Sequence, residues 1–273
     1  MTHPSRSDGD PVVTTALPRG RVRANALQRG IVRAYARDAL VLIPVFQRDL
    51  IAAFGDLGAR ARRAYLNLTP RPIRQTDPGD RDRVDAILRG MGTDDWTDRS
   101  LSPSYRAAMI RTGAMTTGTA SRWLGGLFVD LPDHVGRRVV AEGGRRIGLV
   151  DIRGQSRRAL FHALAEGRAQ GMAREQLANH IAGRITRGPY RSVETRALVI
   201  ARTETLHAQR VSALEVYRRT EVVTGMLAFD AQVGATDAEC EDRNQRVYSF
   251  RDADLETSLE HPNGTLSWAP YSS

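Results

Sequence analysis

The stretch SVETRALVIARTETLHAQRVSALEVYRRT, residues 192–220, decides the fold of this chain. Val193, Ala197, Ile200, Glu204, His207, Val211 and Leu214 follow one another at alternating steps of four and three, the spacing of one face of an α-helix. The ends of that helix are also readable. Gly188-Pro189 interrupts whatever precedes it, the Ser192 hydroxyl can cap the first turn, and Arg218-Arg219 suit the negative end of the helix dipole. Two polar residues, Glu204 and His207, sit one turn apart inside an otherwise apolar stripe. A carboxylate and an imidazole on a buried face require partners, and the question of function begins with what those partners are.

Upstream the pattern stays helical. Residues 152–186 read as a hairpin, with Leu160 and Leu164 on its first helix, a break near Gly171, and Leu177, Ile181 and Ile185 at four-residue steps on its second. Further helices are predicted over 132–147, over 105–127 despite the glycines and threonines between 113 and 118, and over 81–91. DDWTDRSLSPS (94–104) reads as a turn and TPRPIRQTDPGD (69–80) as a linker. Over 24–57, Leu27, Ile31, Tyr35, Leu42, Phe46, Leu50 and Phe54 recur at helical spacing, with Pro44 expected to kink or divide the helix and Gly55 and Gly58 to weaken its end. Residues 1–22 have no periodicity and read as a flexible arm, whose Arg19, Arg21 and Arg23 are weak candidates for touching a nucleic acid.

Downstream of Thr220 the grain changes. EVVTGMLAFDAQV, RVYSF and TLSWAPY read as three short antiparallel strands, with GATDAEC between them as turn material. The predicted fold is mainly α, an elongated helical body ending in a small α+β unit with a short antiparallel sheet. Its expected divisions are the arm 1–22, an N-terminal helical region 23–130, and a unit 131–273 that is helical to about 220 and carries the strands in 221–273.

A chain of 273 residues can bury a core without staples. Cys240 is the single cysteine, which leaves no internal disulfide framework. The formal charge is +9, and all 40 basic residues are arginine. Arginine is the better side chain for phosphate, but total absence of lysine fits a GC-rich genome better than a local functional demand; the net charge stands unexplained by codon bias. The strongest apolar segment, ALVLIPVF at 39–46, is short and interrupted by Pro44, and no signal-peptide layout precedes it. A soluble, non-secreted protein with no membrane partner is the expectation.

The chemistry-bearing residues are few. Glu204 and His207 form E-x-x-H, but a di-metal bundle needs this pair from two helices, and Glu175 and His180 are five apart. Cys240, His261 and His207 lack the local spacing of a zinc site. His261-Pro262-Asn263-Gly264 is what a tight turn needs. Cys240 is followed by Glu241 and Asp242, an acidic setting adverse to a reactive thiolate. No G-x-S-x-G, phosphate loop or dinucleotide fingerprint occurs. The residues favour a binding or structural protein, with no catalytic residue, metal or cofactor assigned.

Taken together, IARTETLHAQRVSALEVYRRT, DAEC, NQRVYSF and the terminal HPNGTLSWAP resemble the phage Mu protein F-like family of minor head, or head morphogenesis, proteins. The helices of GQSRRALFHALAEGRAQGMAREQLANHIAGRI are similar to the pair usually found upstream in that family; the resemblance covers about residues 130 to 270. Arg202, Thr203 and Glu204 fall on the family's R-T-E, His207 lies a turn later, Cys240 takes a cysteine position, and His261, Pro262 and Asn263 take those of H-P-N. Gly264 and Leu266 stand where the family usually has cysteines, so any metal site implied by its Cys/His set is expected to be lost. The resemblance implies a structural virion protein near the portal vertex inside the capsid, present in host cytoplasm during assembly. Its implied partners are the portal protein, major capsid or scaffold protein, and packaged double-stranded DNA bound without sequence preference. A sequence-independent DNA-binding protein, and a metal-dependent hydrolase or toxin-associated module using Glu204, His207 and His261, are the alternatives. In the structural reading Glu204 is a buried anchor fastening its helix to the terminal unit through Arg202, His207 or the His261 turn.

Overall fold

The computed structural model describes residues 17–70, 80–125, 151–220, 222–230 and 238–272. Seven helices precede the first strand among these residues: α1 (Ala26–Leu66), α2 (Asp80–Met91), the single turn α3 (Thr93–Trp96), α4 (Ser102–Trp123), α5 (Ile152–Ala169), α6 (Arg174–Arg187) and α7 (Val193–Arg218). The terminal unit adds β1 (Gly225–Phe229), α8 (Ala238–Arg243), β2 (Val247–Tyr248), α9 (Phe250–Leu259) and β3 (Ser267–Tyr271). The sheet is antiparallel in the order β2-β1-β3, with Met226 opposite both Tyr248 and Pro270. The chain is therefore mainly helical with a small three-stranded sheet near its C-terminus.

The long helix α1 packs against α2, α4, α6, α7 and β3. It starts in a reciprocal cap: Asn25 accepts the Gln28 amide at 2.8 Å and Gln28 accepts the Asn25 amide at 2.9 Å. The same Gln28 side chain donates to the Pro270 carbonyl at 2.9 Å, so the helix start covers the edge of β3. Pro44 does not divide α1, which runs unbroken from Ala26 to Leu66. The carbonyl it deprives of a partner belongs to Leu40, which is 74% exposed, so water can replace the lost bond. The helix also continues past Gly55 and Gly58 to Leu66. Gly58 is buried where α1 meets α6, and a Cβ there would collide with the Thr186 hydroxyl and approach the Ala182 carbonyl to 2.9 Å. The glycine is what lets the two helices approach.

Residues 94–104, expected as a turn, are helical: α3 runs into a π-helical turn, Thr97–Leu101, and then into α4. Trp96 explains the difference. It is fully buried, donates to the Ala53 carbonyl at 2.9 Å and stacks at 5.9 Å on Phe54, so tertiary burial draws a polar segment into helix. Along α4 the hydroxyls of Thr112, Thr116 and Thr117 return to carbonyls one turn back at 2.8–2.9 Å, which lets threonines be buried in a helix. The hairpin α5–α6 turns at Gly171, φ +61°, with Met172 N–H bonded to Gly167 O and Gly171 N–H to Arg168 O, a Schellman closure.

Helices α8 and α9 were not anticipated; α8 begins inside the stretch read as turn material. Residues 17–22, expected as part of the arm, lie against the terminal unit: Val22 N–H bonds Gln245 O at 2.8 Å, and Arg21 bridges Arg246. Residues 1–16, most of the linker (71–79), the helix expected over 132–147, and 231–237 lie outside the described residues. So does the 130/131 boundary. The described helices on its two sides share one apolar cluster that runs from Phe46, Leu50 and Leu57 of α1 to Leu160, Ile181 and Ile200. A second cluster, including Tyr35, Tyr217, Met226, Leu266 and Trp268, joins the start of α1 and the end of α7 to the sheet.

Gly55 and Gly58 give a matched test of this packing. Gly55 has nothing within 4 Å of a prospective Cβ. Gly55→Ala should stabilise by about 0.8–1.0 kcal/mol through helix propensity alone. Gly58→Ala gains the same propensity but overpacks the α1–α6 contact at a cost of about 1–3 kcal/mol, so its unfolding temperature should fall below that of Gly55→Ala and of the parent. Equal thermal shifts for the two variants would contradict the packing described.

Candidate functional site

Helix α7 is buried on nearly every side, not along one stripe. Besides Glu204 and His207, its Arg196, Thr203, Thr205, Gln209, Arg210 and Ser212 are all 3% exposed or less. Ser192 caps it, accepting the Thr195 amide at 3.2 Å. Each buried polar group costs about 1–3 kcal/mol if left without a partner, so the groups that reach α7 define the candidate site.

Near its start, Arg196 closes the end of α6. Its Nη1 donates to the carbonyls of Ile185 at 3.0 Å and Thr186 at 3.1 Å, and the guanidinium lies 3.7 Å from the Phe54 ring centroid. Burial pushes its pKa down to about 10, so it remains a cation at neutral pH. Nothing in the sequence singled it out, because an arginine beside a helix start looks like any solvated one; its spacing of four before Ile200, on the buried face, was the available signal.

The R-T-E triplet reaches two different places. The Glu204 carboxylate, fully buried, accepts from the Tyr105 hydroxyl at 2.7 Å, and Tyr105 packs edge-on against Phe46. Glu204 is thus tied to α4 through Tyr105, which had no motif to announce it. Its neighbour Thr203 reaches the terminal unit: its hydroxyl donates to Val199 O at 2.7 Å and accepts the Asn263 amide at 3.2 Å. Arg202 is only half-buried, and His207 is enclosed one turn after Glu204.

Asn263 sits in the left-handed region at φ +62°, and Gly264 N–H returns to His261 O at 3.0 Å, so His261, Pro262, Asn263 and Gly264 form a tight turn. Gly264 has a steric role. A Cβ there would run into the Glu260 carboxylate, whose Cδ lies 2.5 Å from that position. Glu260 is buried and faces Arg243 at 2.7 Å and Arg210 at 3.9 Å. Arg243 also pairs with Asp230 at 2.6 Å, Thr265 donates to Asp230, and Arg210 donates to Leu266 O at 3.0 Å. Burial alone would lower the Arg243 pKa, but the hydrogen bond to Asp230 and the charges of Glu260 and Asp230 outweigh it and raise it. The result is a buried cluster of two arginines and two carboxylates linking α7, α8, the end of α9 and the approach to β3.

Cys240 lies beside this cluster, and its setting differs from the acidic one inferred from its neighbours in sequence. Glu241 and Asp242 are exposed, and Asp242 pairs with Arg246. The sulfur instead faces Arg243 Nη2 at 3.6 Å and His261 Nε2 at 3.4 Å. In a helix residues three apart share a face and immediate neighbours are turned away, so Cys240 faces Arg243 and not Glu241 or Asp242. His261 is exposed while Glu204 and His207 are enclosed, so the three groups weighed for a metal-dependent reaction do not share one surface. Among the described residues no three His, Cys, Asp or Glu side chains are grouped to hold a metal ion. Of the arm arginines, Arg21 is committed to the Glu241 carbonyl at 2.6 Å, while Arg19 and Arg23 are exposed.

Removing either end of the Glu204 contact should lower the unfolding temperature, and Tyr105→Phe with Glu204→Ala combined should cost less than the two single changes summed. Strict additivity would place the worth of Glu204 elsewhere. Arg243→Met strands Asp230 and Glu260 and should cost about 3–5 kcal/mol in denaturant unfolding, with much of the loss recovered when Asp230→Asn and Glu260→Gln are added. A loss no larger than that of an exposed pair such as Arg246–Asp242 would show the cluster to be hydrated. In comparisons with known proteins, no protein-family model, no curated protein and no solved structure matches the chain.

Proposed function

We propose that this chain is a minor head protein of a tailed bacteriophage or prophage, associated with the portal inside the capsid, where it assists procapsid assembly and DNA packaging or ejection as a structural element. The observation that carries this reading is the contact between the two motifs on which the resemblance rests. Thr203 of R-T-E receives the amide of Asn263 of H-P-N across a separation of 60 residues. Motifs that meet as a helix-to-turn clasp are explained by holding a small terminal unit on a helical body.

The buried ion cluster supports the same reading. It occupies the place beside Cys240 and His261 where the resemblance would put further cysteines, and Glu260 fills the space that a side chain at Gly264 would need. A hydrolase drawing on Glu204, His207 and His261 is less well supported, since it would need an enclosed and an exposed set of ligands on one ion. The +9 charge suits a place beside packaged DNA.

Co-expression with the portal protein of the same phage or prophage genome, followed by affinity capture at moderate salt and gel filtration, tests the proposal. The two proteins should elute together. Separate elution at both low and moderate salt would remove the portal from the list of partners and the reading with it.

A further inference from the structure

The first turns of α1 carry positive charge with no carboxylate at ion-pair distance among the described residues, although Arg29 also donates to the Ala24 carbonyl. Between Pro11 and Arg37 the sequence has six arginines, Arg19, Arg21, Arg23, Arg29, Arg33 and Arg37, and no acidic residue. Three of them, Arg29, Arg33 and Arg37, fall at four-residue steps on α1, and all three are exposed. At 1.5 Å per residue they span about 12 Å of one helix face.

Several arginines elsewhere among the described residues are occupied. Arg60, Arg157, Arg168, Arg218, Arg243 and Arg246 each face a carboxylate. None of Arg29, Arg33 and Arg37 has a carboxylate at ion-pair distance among the described residues. The nearest acid in sequence, Asp38, is half-buried and receives the Thr119 hydroxyl at 2.7 Å, and Thr119 in turn receives Arg122 at 2.9 Å. That carboxylate is turned toward α4.

We infer that Arg29, Arg33 and Arg37 of α1 form a docking stripe for the phosphate backbone of double-stranded DNA, bound without sequence preference. Duplex DNA offers one phosphate per about 3.4 Å of axis on each strand, so a stripe of about 12 Å meets roughly three on the strand it follows. Guanidinium groups match phosphate by paired donors. An anionic membrane suits the stripe less well. The apolar face of this helix, with Ile31, Tyr35 and Leu42, is consumed in the core, and the exposed positions from 29 to 37 are arginines and Ala36. The choice of DNA among polyanions rests on the head-protein reading; the location of the stripe does not.

The test is binding of the full-length protein to a short random-sequence duplex, followed by fluorescence anisotropy across a sodium chloride titration. R29Q/R33Q/R37Q should keep the parent unfolding temperature, bind more weakly, and show a slope of log affinity against log salt shallower by about 2 to 3, near 0.9 for each arginine. R29K/R33K/R37K should retain most of the slope. If the triple glutamine variant fails to fold, R29Q, R33Q and R37Q singly should each reduce the slope by about 0.9. An unchanged slope in folded variants overturns the stripe, as does absence of parent binding at low salt. Arginine-dependent binding to phosphatidylglycerol vesicles without binding to the duplex overturns it in favour of a membrane surface. Portal co-elution is read separately, so loss of the stripe leaves the head-protein reading standing.

Discussion

The burial of α7 with its polar side chains is the constraint on which the rest of the structure depends. A helix enclosed on all sides is ordinarily apolar all round. This one carries arginine, glutamate, threonine and glutamine into the interior, and each must be met by a group held in place by another element. Arg196 takes the last carbonyls of α6, Glu204 the hydroxyl of α4, Gln209 the Tyr35 carbonyl of α1, and Arg210 the Leu266 carbonyl before β3. Hydrogen bonds are directional, so these contacts specify the relative placement of four elements more tightly than apolar packing would.

The terminal unit relies on a different balance. Its sheet is small, and β2 is only two residues long, so strand pairing alone would be marginal. The buried pair of arginines with Asp230 and Glu260 makes up the difference in specificity. Desolvating four charges is expensive, and it is offset here because each carboxylate faces a guanidinium, Arg210 also reaches the Leu266 carbonyl and the Thr265 hydroxyl donates to Asp230. The H-P-N turn closes over this cluster. Gly264 is needed there because Glu260 occupies the volume beside it.

A structural role in a phage head is consistent with this economy. Glu204 and Thr203 make contacts that tie helices and the terminal turn together, while Arg29, Arg33 and Arg37 lie exposed along one end of α1. Internal bonding and external charge are thus separated in space. Such a division suits a protein that must fold as a unit and then lie against a polyanion.

Periodicity was enough to determine the helical class, the capped α7, the α5–α6 hairpin with its Gly171 closure, and the three antiparallel strands, because these follow from local spacing and turn chemistry. The turn at His261–Gly264 was legible for the same reason. Tertiary structure alone decided the continuity of α1 through Pro44, the helical state of 94–104 around Trp96, and the assignment of Glu204 to Tyr105. It also decided the cationic setting of Cys240 and the central role of Arg196. In most of these cases the deciding partner lies in another element, and single-sequence spacing holds no record of distance between segments. Local propensity is set by neighbours in sequence; burial and hydrogen-bond partnership are set by neighbours in space.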